Sequence, residues 1–344
     1  MKDGKACYAV RSDFWKETVM NQEKGYESMK YNRTGDSGLL LPAMSFGLWH
    51  NFGEDRPYEN ARDMVLTGFE AGITHFDLAN NYGPPAGAAE HTMGKILREE
   101  LADHRDEIIL STKAGYGMWP GPYGDGGSRK YLMASVDQSL KRLGVDYVDI
   151  FYHHRPDPDT PLEETMGALV DIVRQGKALY IGLSNYGPEK LEEAAGILEK
   201  MGSRCLIHQH RYSMLDRKNK NLFPVVKKKK MGTIAFCPLE QGLLTDKYLH
   251  GIPEDSRAAG RSVFLGSGNI TAEYLETAGK LNELAAVRGQ SLAQMALAYA
   301  LKDGELTSVI LGASRPQQIK DNIKALEKLE FTPDECKRIE EILQ

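Results

Sequence analysis

Cysteine is scarce in this chain, and it is scattered. Cys7, Cys205, Cys237 and Cys336 stand far apart and make no CxxC pair, so neither a disulfide framework nor a zinc ribbon is indicated, and a reducing cytoplasm suits the chain best. Long apolar runs are missing as well. No stretch approaches the roughly 18 consecutive apolar residues of a membrane helix, and residues 1–28 lack the apolar core of a signal peptide. The expectation is a soluble, unexported protein. Positive charge is not in excess: 43 Lys and Arg face 48 Asp and Glu, and the resulting net charge of −5 argues against a general nucleic-acid binder while leaving local anion sites open. A dinucleotide fingerprint is also absent. GxGxxG must follow a strand and open a helix, but the glycine-rich "GYGMWPGPYGDGG" has Pro120 where the third glycine belongs. Its prolines suit a long strand-to-helix loop instead.

What is present is alternation. Residues 1–28 show no clean period and are read as an extension of unknown order, with Met20 and Met29 serving equally well as starts. Residues 29–344 are read as a single domain. Length alone would suggest two domains, but barrels of alternating strands and helices hold this many residues in one. "MKYNRTGDSGLLLP" reads as a hairpin with Gly and Asp at its turn. Eight short apolar runs follow: "AMSFGLW", "ITHFDLA", "EIILSTK", "VDIFYHH", "ALYIGLS", "CLIHQHRY", "GTIAFCP" and "SVILGAS". Helix-like stretches such as "SRKYLMASVDQSLKRLG" lie between them, several stopped by a glycine suited to a helix C-terminus. Eight strands, each followed by a helix, predict an α/β fold, a parallel (β/α)8 TIM barrel with an N-terminal β-hairpin.

In such a barrel chemistry gathers where the strands end at the C-terminal face. The polar residues at those ends are Asp77 and Tyr82 after the second strand, Lys113, His154, Ser184 with Asn185, Gln209, and Ser314 with Arg315 after the last. Asp, Tyr, Lys and His together suit a proton-donating site. A free tyrosine, with a pKa near 10, is a poor acid at neutral pH, and a neighbouring lysine cation is expected to lower that value. Asp77 would keep the lysine charged, and the histidine would hydrogen-bond the oxygen about to be protonated. Taken singly, a strand-end Asp is more often a helix cap and a strand-end Lys more often solvated. The ordered set of four on successive strands carries the specificity.

The segments "HFDLANNYG", "LSTKAG", "IFYHHRPD", "GLSNYG", "AFCPLEQGLLTDKY" and "VILGASRPQQIKDN" resemble the ordered signatures of the aldo-keto reductases, from about Met29 to Leu343. Within that superfamily "LWHNFG", "AGYGMWPGPYGDGGSRKY" and "GQSLAQMALAYALKDG" most resemble the bacterial L-glyceraldehyde 3-phosphate reductases, relatives of the voltage-gated potassium channel β-subunits. The resemblance implies NADPH-dependent reduction of small aldehydes, with Asp77, Tyr82, Lys113 and His154 as catalytic tetrad. His154 is chosen over His153 because the family's histidine immediately precedes the Arg-Pro pair, here Arg155 and Pro156. By the same carry-over Ser184, Asn185 and Gln209 hold the nicotinamide carboxamide, Phe236 stacks on the ring, and Trp49 borders the ribose and the substrate pocket. The stretch from Pro238 through Leu239, Gln241 and Gly242 to Lys247, together with Arg257, lines the pyrophosphate. Gly312, Ser314, Arg315, Gln318 and Asn322 hold the adenosine end.

Other motifs take blander readings. If Gln209 faces the cofactor, then His208 and His210 of "HQH" face the helices, and no metal site is expected. "KKKK" at 227–230 falls in a predicted last helical turn, where lysines suit the negative helix end. Cys237 is read as a buried small residue beside the cofactor. Arg155, Arg129 and Lys130 are unranked candidates for holding a substrate phosphate. Three functions stay open: an NADPH-dependent reductase of L-glyceraldehyde 3-phosphate or methylglyoxal-like aldehydes, an NADP(H)-binding regulatory module, and a Schiff-base aldolase using Lys113, which the neighbouring Asp77 disfavours. Neither a nucleic acid nor a membrane is an expected partner, and the oligomeric state stays open.

Overall fold

The computed structural model describes residues 25–254, 256, 258–259 and 265–344. Each of the eight apolar runs forms a strand. These are β3 (Met44–Gly47), β4 (His75–Asp77), β5 (Ile109–Ala114), β6 (Val148–His153), β7 (Ala178–Ser184), β8 (Cys205–Arg211), β9 (Gly232–Phe236) and β10 (Ser308–Leu311). They pair in sequence order, and β10 closes on β3 to make a barrel of eight parallel strands. Nearly every strand residue is buried, as expected where one face looks into a packed barrel and the other lies under helices.

The hairpin forms as read, with β1 (Tyr31–Arg33) antiparallel to β2 (Leu40–Pro42). Its Leu41 is fully buried and joins Ile109, Ile150, Ile207 and Ile234 in one apolar cluster, so the hairpin plugs the end of the barrel where the strands begin. The opposite rim is left for chemistry. Of the expected extension only residues 25–28 are described; Tyr26 donates to a Glu107 carboxylate oxygen at 2.6 Å.

Helices α1 (Tyr58–Glu70), α2 (Ala88–Glu100), α3 (Arg129–Leu143), α4 (Leu162–Arg174), α5 (Pro188–Lys200) and the short α6 (Phe223–Lys228) cover the strands. Local signals set their ends. Ser128 accepts from the Tyr131 N–H at the start of α3, and Gly144 stops that helix with φ of 70°. Beyond β9 the chain makes α7 (Ala272–Val287) and α8 (Leu292–Leu301), and after β10 α9 (Pro316–Ile323) and α10 (Pro333–Ile342). α7, α8 and α10 share a second apolar cluster around Leu281, Leu284, Met295 and Ile339. The lysine run behaves as expected for a solvated helix end: Lys228, Lys229 and Lys230 pair with Glu192, Glu199 and Asp36.

Candidate active site

Parallel register carries the expected residues to one rim. Gly47 pairs with Asp77, Asp77 with Ser111, Lys113 with Tyr152, and Ser184 with Gln209, so the ends of β3 to β8, paired in sequence order, line one rim. Lys113 is fully buried, and its ammonium donates to Asp77 Oδ2 at 2.6 Å and to the Leu78 carbonyl at 2.6 Å. The third contact is the Tyr82 hydroxyl at 3.4 Å. Asp77 Oδ1 in turn accepts from Ser111 Oγ at 2.7 Å and Gln209 Nε2 at 3.1 Å. A buried carboxylate and a buried ammonium are each costly to desolvate, and here each is matched by its partner and by further hydrogen bonds.

His154 completes the group. Its ring meets Tyr82 edge-on at 5.9 Å, and its backbone carbonyl accepts from Asn185 Nδ2 at 2.9 Å. Burial, with Lys113 as the next cause, holds the imidazole well below its usual pKa, so it is neutral at physiological pH. Burial also draws the Lys113 ammonium down, and the Asp77 carboxylate opposes that pull.

The phenol departs from expectation. Burial foremost, then Asp77, pushes the Tyr82 pKa well above its ordinary value, not below it. The lysine's charge is largely spent on Asp77 at 2.6 Å, while the half-buried phenol would lose much of its hydration as a phenolate. Tyr82 is therefore held protonated at neutral pH.

A wall of aromatic rings surrounds the phenol. Trp49 stacks on Tyr82 at 5.4 Å with 18° between the planes, and Tyr116 packs edge-on against His154 at 4.7 Å. Tyr116 comes from the glycine-rich loop, which overhangs the mouth as its sequence suggested. Arg155 ties that loop down: its Nε donates to the Gly115 carbonyl at 2.8 Å, its Nη2 pairs with Asp125 at 3.0 Å, and its guanidinium lies 4.9 Å from the Tyr116 ring. The other two cations proposed for phosphate are engaged elsewhere, Arg129 with Asp171 at 2.7 Å and Lys130 over the Tyr123 ring.

A second set runs along the rim from β7 to β10. Asn185 has a left-handed φ of 60°, and its Nδ2 spends its hydrogens on the His154 carbonyl and on Ser184 Oγ at 3.1 Å. That leaves the Asn185 carbonyl oxygen as an acceptor and the buried Ser184 hydroxyl hydrogen as a donor. Phe236 ends β9 half-buried, and the following loop, which includes Pro238, Leu239, Gly242 and Lys247, carries left-handed Cys237, Glu240 and Gln241 at φ of 56°, 45° and 58°. Cys237 is half-buried, more open than expected. Past exposed Gly312, Ser314 N–H donates to Gln318 Oε1 at 2.8 Å, and Arg315 stands exposed at the start of α9 with no side-chain partner among the described residues. Asn322 is buried further along that helix, and Arg257 lies outside the described residues.

The Aldo/keto reductase family model matches residues 43–344. The chain belongs to the aldo/keto reductase family. Proteins named L-glyceraldehyde 3-phosphate reductase from Escherichia coli O157:H7 and strain K12 are 53% and 52% identical to it, each over 94% of this chain and 94% of the relative. A probable voltage-gated potassium channel subunit beta of Arabidopsis thaliana is 35% identical over 92% of this chain and 97% of that protein. Membership makes the protein an oxidoreductase, in a family that uses nicotinamide cofactors.

Within this aldo/keto reductase barrel, the decoy histidines turn away from the site. His153 Nδ1 meets the Tyr186 hydroxyl at 2.7 Å, and His208 and His210 share a contact at 3.3 Å, with the His210 ring packed on Phe223 of α6. Gln209 faces the interior, as the alternation required. Sequence reasoning missed four residues around Asp77: Ser45, His75, Ser111 and Ser308. The signal available was His75 two positions before Asp77, on the same strand face.

Proposed function

We propose that this protein reduces small aldehydes with NADPH, L-glyceraldehyde 3-phosphate foremost, and that Tyr82 is the general acid. One observation carries the reading: a protonated phenol, a buried Lys113–Asp77 pair and a neutral His154 stand together at the barrel mouth. The neutral imidazole donates to a carbonyl oxygen without competing for its proton, and Tyr82 supplies the proton as negative charge grows there. Lys113 then faces the developing phenolate, which it stabilises far more than the phenol. Preorganised donors in a dry site act on charge that appears only in the transition state, which is where they raise kcat.

The donor set fits a nicotinamide. A carboxamide has one acceptor and two donors, which complement the Ser184 hydroxyl hydrogen and the Asn185 carbonyl oxygen left over from the local bonding. When bound, the cofactor supplies hydride. Phe236 offers a flat face beside these groups, and Gln209, fixed by Asp77, completes the cradle. The loop from Pro238 to Lys247 lines the pyrophosphate, and the start of α9 with Arg315, Gln318 and Asn322 receives the adenosine end, where the helix dipole favours anions. Trp49 and Tyr116 wall the substrate side and exclude water. For the substrate phosphate Arg155 is the candidate nearest the site, next to His154 in the chain, although like Arg129 and Lys130 it has partners of its own.

The test is oxidation of NADPH by the purified protein with L-glyceraldehyde 3-phosphate, methylglyoxal and simple aromatic aldehydes. Turnover fastest with the phosphorylated aldehyde supports the full reading. Tight NADPH binding with no turnover on any aldehyde would favour the regulatory alternative that the 35% identical channel-subunit relative allows.

A further inference from the structure

Asp77 stands at the end of a buried chain of hydrogen bonds that crosses four strands. Ser308 on β10 and Ser45 on β3 share a hydroxyl contact of 2.7 Å. Ser45 Oγ lies 2.8 Å from His75 Nδ1, and His75 Nε2 lies 2.9 Å from Ser111 Oγ, which reaches Asp77 Oδ1 at 2.7 Å. All five residues are buried. Their chemistry sets the direction of every bond. An ionised carboxylate only accepts, so Ser111 donates to Asp77, and its oxygen must accept from His75 Nε2–H. His75 is then the Nε2–H tautomer, its Nδ1 accepts from Ser45, and Ser45 accepts from Ser308. Neutrality of the ring is consistent with its surroundings: burial foremost lowers the His75 pKa to about 4, with Asp77 on its own strand opposing and Lys113 from β5 assisting. Among the described residues, β3 and β10 present only the two serine hydroxyls to this chain.

We propose that His75 is a positioning residue of the reductase, which acts through Ser111 to deliver a fixed hydrogen bond to Asp77 and so keeps the Lys113–Asp77 pair aligned under Tyr82. Ser308 and Ser45 lock its tautomer. The inference rests on Tyr82 being the proton donor. A donor aimed at Asp77 Oδ1 fixes the plane of the carboxylate and presents Oδ2 to the ammonium. Without it that plane is free to turn. Lys113 then loses its aligned partner, and the effect reaches the phenol two contacts away.

Two measurements test the chain. Nitrogen NMR of histidine-labelled protein should find His75 with a protonated Nε2 and a bare Nδ1 across the neutral range; an Nδ1–H tautomer or an imidazolium at pH 7 overturns the proposal. In steady-state reduction, Ser111→Ala should cut kcat about ten-fold with the aldehyde KM and the NADPH Kd within about two-fold. His75→Gln, which keeps an N–H facing Ser111, should retain several-fold more activity than His75→Leu. A Ser111→Ala protein with a lower melting temperature but parental kcat shows that the chain serves only packing, and ends the proposal. Tyr82→Phe is assayed alongside: parental rates there overturn the proton-donor reading itself, independently of the tautomer result.

Discussion

The Lys113 ammonium lies 3.4 Å from the Tyr82 hydroxyl, farther than from either of its other two partners. Its nearest partners are Asp77 and the Leu78 carbonyl. Tyr82→Phe keeps the ring that stacks on Trp49 and removes only the hydroxyl proposed as proton donor, so NADPH affinity should stay within about two-fold while aldehyde reduction falls by on the order of 10² to 10⁴. Lys113→Met should do comparable harm, because the phenolate then forms with no cation beside it. The double mutant should be little worse than either single one, since residues acting as one unit are strongly non-additive. Rates that multiply independently would separate the two side chains.

Arg315 tests the choice of cofactor. It stands exposed and without a side-chain partner among the described residues at the N-cap of α9, and under the proposed function its guanidinium grips a 2′-phosphate. A hydrogen bond to a charged group is worth roughly 1.5 to 3 kcal/mol, so Arg315→Ala should weaken NADPH binding by about ten- to a hundred-fold and leave NADH nearly unchanged. Titration of both cofactors by fluorescence decides it; equal losses would assign the residue to the fold.

How much of this was legible beforehand differs by level. The eight strands were readable because both faces of each are buried, which writes them as short apolar runs between helical segments. The rim residues were readable because a strand end in a barrel has one destination. The Ser45–His75–Ser111 chain was not, since a serine in a strand has no periodic signature and its partner lies 30 or 36 positions away. The direction of the Tyr82 shift was missed for another reason: proximity of a cation can be guessed from order along the chain, but the extent of burial cannot.

The outward-facing histidines predict an acid-sensitive fold. Burial lowers His153 and His210 to about 4 and holds His208 well below its ordinary value, so all three are neutral in the folded protein. Unfolded, each titrates near 6.5. Below that value the unfolded chain takes up protons that the native state refuses, so stability is intact above about pH 6.5 and falls as the pH drops toward about 4. Each fully buried imidazole can contribute up to about 3 kcal/mol of that loss. His210→Phe, which leaves an aromatic ring against Phe223, should flatten the decline in melting temperature between about pH 6.5 and 4.5. The same slope in parent and variant would place the acid sensitivity elsewhere.

Glu240 tests the loop that follows β9. Its backbone is left-handed at φ of 45°, next to Gln241 at 58°, and its buried carboxylate accepts from Ser213 Oγ at 2.6 Å and pairs with Arg211. A non-glycine residue in that region costs roughly 1 to 2 kcal/mol, so the side-chain contacts must outweigh the backbone strain. Glu240→Ala keeps the strain and loses the clamp, whereas Glu240→Gly loses both. Stability should therefore rank parent, then Glu240→Gly, then Glu240→Ala, with the two variants about 1 kcal/mol apart. If the clamp holds the loop in shape for the pyrophosphate, both variants should bind NADPH about ten-fold more weakly, chiefly through faster release, because preorganisation is lost while the phosphate-facing groups remain. Stopped-flow release rates together with thermal melts separate the two effects. Parental NADPH release from a Glu240→Ala protein with a lowered melting temperature would confine Glu240 to stabilising the barrel rim and remove it from cofactor binding.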